Sequence, residues 1–195
     1  MDTIKNNIVT HPIESYQGYQ PEIGARVFLH CSATIIGQVQ LADDVSIWPG
    51  VVIRGDVNHI NIGLGSNIQD LSLLHVSHKS SGDPAGAPLI IGKHVTVGHQ
   101  VILHGCTIED ECLIGMGSII MDKAIVQKQV LVGAGSLVPE GKVLESGHLY
   151  LGSPVRKVRK LTDDELAHFM YSAQHYIQLK NNYINPAFIS EVSAK

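Results

Sequence analysis

Residues 91–138 read IGKHVTVGHQVILHGCTIEDECLIGMGSIIMDKAIVQKQVLVGAGSLV, and their beat decides the fold. Steps of six run through Ile91, Val97 and Leu103, then Ile108, Ile114 and Ile120, then Val126, Val132 and Val138. Upstream the same beat picks out Leu41, Ile47 and Ile53, then Ile62, Ile68 and Leu74. Four places after these aliphatics come small or β-branched residues: Val45, Val51, Val57, Ser66, Ser72, Val95, Val101, Thr107, Cys112, Ser118, Ala124, Val130 and Ser136. Two positions keeping one period of six mean a short strand and a turn, repeated as the sides of a triangular coil. A β-sandwich would explain alternation, but not a phase of six held over so many steps. The reading is all-β: a left-handed parallel β-helix of about five or six coils, followed by a C-terminal α-helix.

The aliphatics should point inward and stack from coil to coil. Gly63, Gly92, Gly98, Gly115, Gly117, Gly133 and Gly135 are expected to permit the corners. Two breaks in phase, around His59–Asn61 and from His78 to Pro88, are expected as loops projecting from the prism. Less regular coiling around Ile23, Val27, Leu29 and Ile36 should start it. The expected organisation is an N-terminal segment 1–22, the β-helix 23–152, a linker and helix 153–185 and a flexible tail 186–195. In the helical part, Thr162 and Glu165 form a capping box, Asp163 and Asp164 suit the N-terminal end, and Leu166, Phe169, Met170, Ala173 and Ile177 make one apolar stripe.

A net charge of −4 offers no field for nucleic acid or anionic lipid, so neither partner is expected. The first residues lack the apolar core of a secretion signal, and no stretch has the length of a membrane span, so a cytoplasmic protein is expected. Cys31, Cys106 and Cys112 are an odd number without a CxxC pair and read as packed core thiols.

The histidines are sorted by their place in the repeat. His75 and His104 each follow the aliphatic of the same side in successive coils, after Leu74 and Leu103, so their rings should stack about 4.8 Å apart and share a metal. His99 lies five residues before His104, at the preceding corner. Extended chain spans roughly 16 Å over that distance, so a neighbouring subunit is the better source of this third imidazole. Three neutral imidazoles with an open position suit a catalytic zinc. His11, His30, His59, His94, His148, His168 and His175 read as solvated or hydrogen-bonded rings. Arg54 and Asp56 follow Ile53, in the register of His75, while Gln69 and Asp70 follow Ile68, in the register of Gly98 and His99. Arg54 is expected to pair with Asp56 or Asp70, and Gln69 to hydrogen-bond a water on the metal.

The runs IRGDVNHINIGLGSNIQDLSLLHV (53–76) and VTVGHQVILHGCTI (95–108) resemble the gamma-class carbonic anhydrases, from about Pro21 to Tyr183. That resemblance implies a homotrimer with zinc, or iron or cobalt, between subunits. It implies His75 and His104 as ligands from one chain and His99 from the next, with Arg54 and Asp56 at the interface and Gln69 and Asp70 beside the metal. The activity implied is reversible hydration of carbon dioxide to bicarbonate by hydroxide generated at the metal. The family's best-studied type carries glutamates in loops near the metal to export the proton. Here Val57 and Asn58 follow Asp56, and the loop 78–88 has Asp83 as its one acid, so His78 or Tyr176 is the expected substitute. Three other functions compete. An acyltransferase is suggested by LYLGSPVRKV, which looks like the GxPA turn of many transferases; an acyl-CoA thioesterase would use the same hydroxide; a non-catalytic trimer would keep its metal only for assembly.

Overall fold

The computed structural model describes residues 12–185; His11 and the tail PAFISEVSAK lie outside this range. Short strands in steps of six wind into a left-handed parallel β-helix of about eight turns, closed by one helix, Asp163–Ile184. Its first face carries Leu73–His75, Ile102–His104, Ile119–Ile120 and Leu137–Val138. The second carries Leu89–Ile91, Thr107–Ile108, Ile125–Val126 and Val143–Leu144. The third includes Ser46–Ile47, Asn67–Ile68, Thr96–Val97, Leu113–Ile114 and Leu131–Val132. Two longer strands, Thr34–Leu41 and Val52–Ile62, bend from the first face onto the second.

The register follows the beat. Ile53, Leu74, Leu103, Ile120 and Val138 are Cα partners up the first face, and Ile68, Val97, Ile114 and Val132 up the third. All of them are fully buried. Each removes a whole aliphatic side chain from water, about 1.5–3 kcal/mol apiece, and this repeated gain holds strands of two or three residues in place. Serine alternates with valine at the corners because its hydroxyl serves the adjacent coil. Ser72 Oγ donates to the Gly98 carbonyl at 3.0 Å and accepts from Val101 N–H at 3.1 Å.

Several expectations need correction. The prism has more turns than the five or six expected, because Ile13–Glu14 and Glu22–Ile23, which lack the six-residue beat, already pair with the strand Thr34–Leu41. The extra residues around His59–Asn61 do not form a projecting loop. They stay within the strand Val52–Ile62, whose register against Thr34–Leu41 shifts between Gly37 and Val39. Val57 consequently leaves the core and is exposed, with Asn58 buried beside it. Thr107 is not the corner residue of its coil: the step from Leu103 to Ile108 is five instead of six, and buried Cys106 takes that place. Cys31 is exposed, so only two of the thiols are core residues. Burial pushes both up, Cys112 to about 12. Nor do glycines alone turn the corners, since Asp44, Leu71, Gln100 and Glu111 adopt the left-handed conformation there. At Gly63 the need is space: a Cβ would lie 2.5 Å from the Gly92 carbonyl carbon of the next coil.

The strand Arg156–Lys160 turns back antiparallel on His148–Leu151 and leads into the helix. The Thr162–Glu165 capping box is formed, and Phe169 and Ala173 are buried, with Leu166, Met170 and Ile177 half-buried. The helix covers the third face, where Phe28, Trp48, Tyr176 and Tyr183 make edge and tilted ring contacts. Lys180 is fully buried in this seam and bonds Asp44 Oδ1 at 3.1 Å.

Candidate metal centre

His75 and His104 are Cα partners at the end of the first face, one coil apart. Because side chains of paired parallel strands project in the same direction, the rings meet, with centroids 5.0 Å apart. His75 Nδ1 lies 3.0 Å from His104 Nε2. The outer nitrogen of each ring is held by a carboxylate from a flanking coil. His75 Nε2 is 3.1 Å from Asp56 Oδ1, and His104 Nδ1 is 2.5 Å from Asp122 Oδ1. Arg54 Nη1 donates to the other oxygen of Asp56, and Ser77 Oγ donates to the other oxygen of Asp122 at 2.6 Å. Within the chain, the partner of Arg54 is Asp56.

These contacts decide what the facing atoms are. A carboxylate accepts, so it draws the ring proton to His75 Nε2 and to His104 Nδ1. In the neutral rings the two nitrogens facing each other are then both lone pairs, a repulsive arrangement unless a cation lies between or beside them. Burial lowers the pKa of His75, and the positive charges of Arg54 and His104 lower it further against the pull of Asp56. A neutral imidazole is the form that ligates a metal. Burial would raise the Asp56 carboxyl, but hydrogen bonds from Arg54 and His75 and the Arg54 charge outweigh it, and Asp56 stays below the usual carboxylate range.

His99 belongs to a second cluster. It sits at the corner between the third and first faces, where Asp70 Oδ2 lies 2.9 Å from its Nδ1, leaving Nε2 as the lone pair. Gln69, buried beside Asp70, donates through Nε2 to Asn67 Oδ1 at 3.1 Å. Tyr176 reaches this corner from the helix; burial raises its pKa, as does the charge of Asp70, while a hydrogen bond with Gln69 opposes them. Among the described residues no three or more His, Cys, Asp or Glu of one chain form a group that could hold a metal ion. The residues singled out from the sequence thus fall into two half-sites at opposite edges of the first face: Arg54, Asp56, His75 and His104 at one, Gln69, Asp70, His99 and Tyr176 at the other.

Sequence reasoning missed Asp122 and Ser77. A signal was present, because the coils on either side of the histidine pair each carry an acid just past the first-face strand, Asp56 three residues after Ile53 and Asp122 two after Ile120. His78 is exposed at the start of the 78–88 loop, and its ring has no bond among the described residues. Asp83, the one acid of that loop, pairs with Lys123 Nζ at 2.5 Å. His30 and His148 find local partners, whereas His94 Nδ1 is buried without one among the described residues, an exception to the bland reading given to it.

The family described as bacterial transferase hexapeptide (six repeats) matches residues 20–55. The chain is 57% identical to protein YrdA of Escherichia coli (strain K12) over 173 residues, 89% of this chain and 94% of that protein. It is 43% identical to a carbonic anhydrase of Geobacillus kaustophilus (strain HTA426), covering 88% of this chain and 90% of that one. Gamma carbonic anhydrase 2, mitochondrial, of Arabidopsis thaliana is 45% identical over 82% of this chain and 57% of its own length. Among solved structures, a hexapeptide transferase family protein from Anaplasma phagocytophilum superposes with a TM-score of 0.82 at 38% identity, over 88% of this chain and 97% of that one.

Proposed function

Because the chain belongs to the gamma-class carbonic anhydrase-like family of hexapeptide-repeat proteins, we propose that it hydrates carbon dioxide reversibly at a metal centre shared between subunits of a homotrimer. One observation carries this reading: two imidazoles, each held by a carboxylate on its outer nitrogen, bring their inner nitrogens within 3.0 Å of each other. His75 and His104 of one subunit would hold the ion, with His99 of the next, and zinc suits three imidazoles, iron or cobalt being the alternatives. When bound, such an ion lowers the pKa of a water ligand towards about 7 and supplies a nucleophile at neutral pH.

The chain's own residues do the rest. Asp56, Asp122 and Asp70 fix the ring tautomers, and Arg54 holds Asp56 in place. Gln69 offers a hydrogen bond to the reacting water from the half-site that brings His99. His78, exposed at the loop entrance, is left to take the proton outward, since Asp83 is engaged by Lys123 and burial raises the Tyr176 phenol still further above neutral pH. Assembly is supported by the outer side of the first face, where Val52, Leu73, Ile102, Ile119 and Leu137 stand in register as an apolar ladder beside the histidine pair. Leu73, Ile102 and Ile119 are 42, 38 and 39% exposed in the single chain, a strip that a second copy would cover.

Acyl transfer is the second reading, since the matched repeat family is described as a transferase. It asks for a histidine free to accept a proton from a hydroxyl or amine. The inner nitrogens of His75 and His104 instead face each other at 3.0 Å rather than a space for an acceptor, which favours a ligand role.

Metal analysis of protein purified without chelator, with carbon dioxide hydration and acyl-CoA hydrolysis measured on the same sample, tests the proposal. One ion per chain with hydration activity is expected, and His99→Ala should lose both. Full metal content in His99→Ala contradicts the ligand set. Metal without hydration points to a thioesterase if acyl-CoA is cleaved, and to a scaffold if it is not.

A further inference from the structure

Between the C-terminal helix and the third face lies a row of hydrogen-bonded polar side chains, apart from the aromatic cluster of the same seam. Ser172, in the middle of the helix, meets Thr96 with the two hydroxyl oxygens 3.0 Å apart. Asn67 Nδ2 donates to Thr96 Oγ1 at 3.0 Å, and Gln69 Nε2 donates to Asn67 Oδ1 at 3.1 Å. All four residues are buried, Asn67 completely. The same Gln69 amide is hydrogen-bonded with the hydroxyl of Tyr176, one helical turn after Ser172.

Such a row has a direction. An amide presents a donor at one end and an acceptor at the other, so the end that Asn67 turns to Thr96 fixes the end it offers to Gln69. With Asn67 donating to Thr96, Gln69 must bring its NH2 inward and keep Oε1 for the open side. Turning one amide over without the other would oppose donor to donor or acceptor to acceptor inside a dry wall. The hydroxyl of Thr96 is the hub, since it takes the Asn67 proton while remaining bonded to Ser172.

We propose that Thr96 and Ser172 are positioning residues of the centre: acting through Asn67, they anchor the Gln69 amide beside the reacting water. This rests on the carbonic anhydrase reading for its kinetic consequence, but not for the anchoring itself. It ties the C-terminal helix to the chemistry, beyond its task of covering apolar surface.

The test uses the metal-loaded full chain with Thr96→Val, Thr96→Ser and Ser172→Ala, and two readouts. In hydration assays Thr96→Val should lower kcat roughly tenfold with KM, metal content and oligomeric state unchanged, and Thr96→Ser should restore most of the loss. Independently of activity, ultraviolet titration of Tyr176, identified by difference from Tyr176→Phe, reports the Gln69 amide. Around that phenol stand Asp70 from the corner, Trp48 from the third face and His175 from its own helix. Loss of the Gln69 donor removes a bond that favours the phenolate, so Tyr176 should titrate higher in Thr96→Val and Ser172→Ala, approaching Gln69→Leu. An unmoved Tyr176 titration in both variants overturns the proposal, as does a Thr96→Ser protein as impaired as Thr96→Val. Absence of hydration in the unaltered protein would count against the carbonic anhydrase reading alone, leaving the Tyr176 arm decisive for the amide.

Discussion

In the proposed centre Asp122 acts through His104 without needing to touch an ion. Its carboxylate fixes the ring proton on Nδ1 and so leaves Nε2 to ligate. Asp122→Asn keeps the shape but weakens that preference, and metal affinity is expected to fall about 10–100-fold, as measured by competition with a chromophoric chelator. An unchanged affinity would mean that His104 is held by packing alone. The meeting of His75 with His104 was legible because register along a repeat is a spatial statement: residues in equal positions of successive coils must be neighbours. Asp122 was not, because it stands one place off the equivalent of Asp56. Lys180 was illegible for another reason, since its partner Asp44 is 136 residues away and no local pattern joins a helix to the wall it covers.

The helix and its start show what an element adds. Thr162 Oγ1 accepts from Glu165 N–H while the Glu165 carboxylate accepts from Thr162 N–H and, through both oxygens, from Arg159. Thr162→Ala should cost about 1 kcal/mol in chemical denaturation. The Arg159 hydrogen bonds, reinforced by Thr162 N–H, bring the Glu165 pKa from the ordinary 4.5 down to about 2. A carboxyl depressed on folding stabilises above its unfolded value, so this contribution is complete above pH 4.5 and fades as pH falls towards 2. Acid titration of stability should lose part of its slope in that window in Glu165→Gln; an identical slope contradicts the assignment. The capping box and apolar stripe could be read from sequence because both are local. The strand Val52–Ile62 could not: an irregularity in a count of six gives the number of extra residues, but not whether they loop out or bulge within a strand.

For the whole molecule, the repeat explains both the rigidity of the scaffold and the incompleteness of its site. A prism of stacked coils places equivalent residues on one edge with little freedom, which brings His75 onto His104 and keeps His99 with Asp70 at another corner. No movement within such a scaffold unites the two half-sites, so the proposed shared centre requires a second copy. Mixing two defective chains tests this claim most directly. His99→Ala retains one half-site and the double variant His75→Ala, His104→Ala retains the other, so neither alone should bind zinc. In a mixed trimer of cyclic symmetry one interface joins the intact half of each, and co-refolded chains should regain one zinc per mixed trimer, with hydration activity. Zinc held by either variant alone, or none recovered in trimers shown to contain both, would contradict the shared centre.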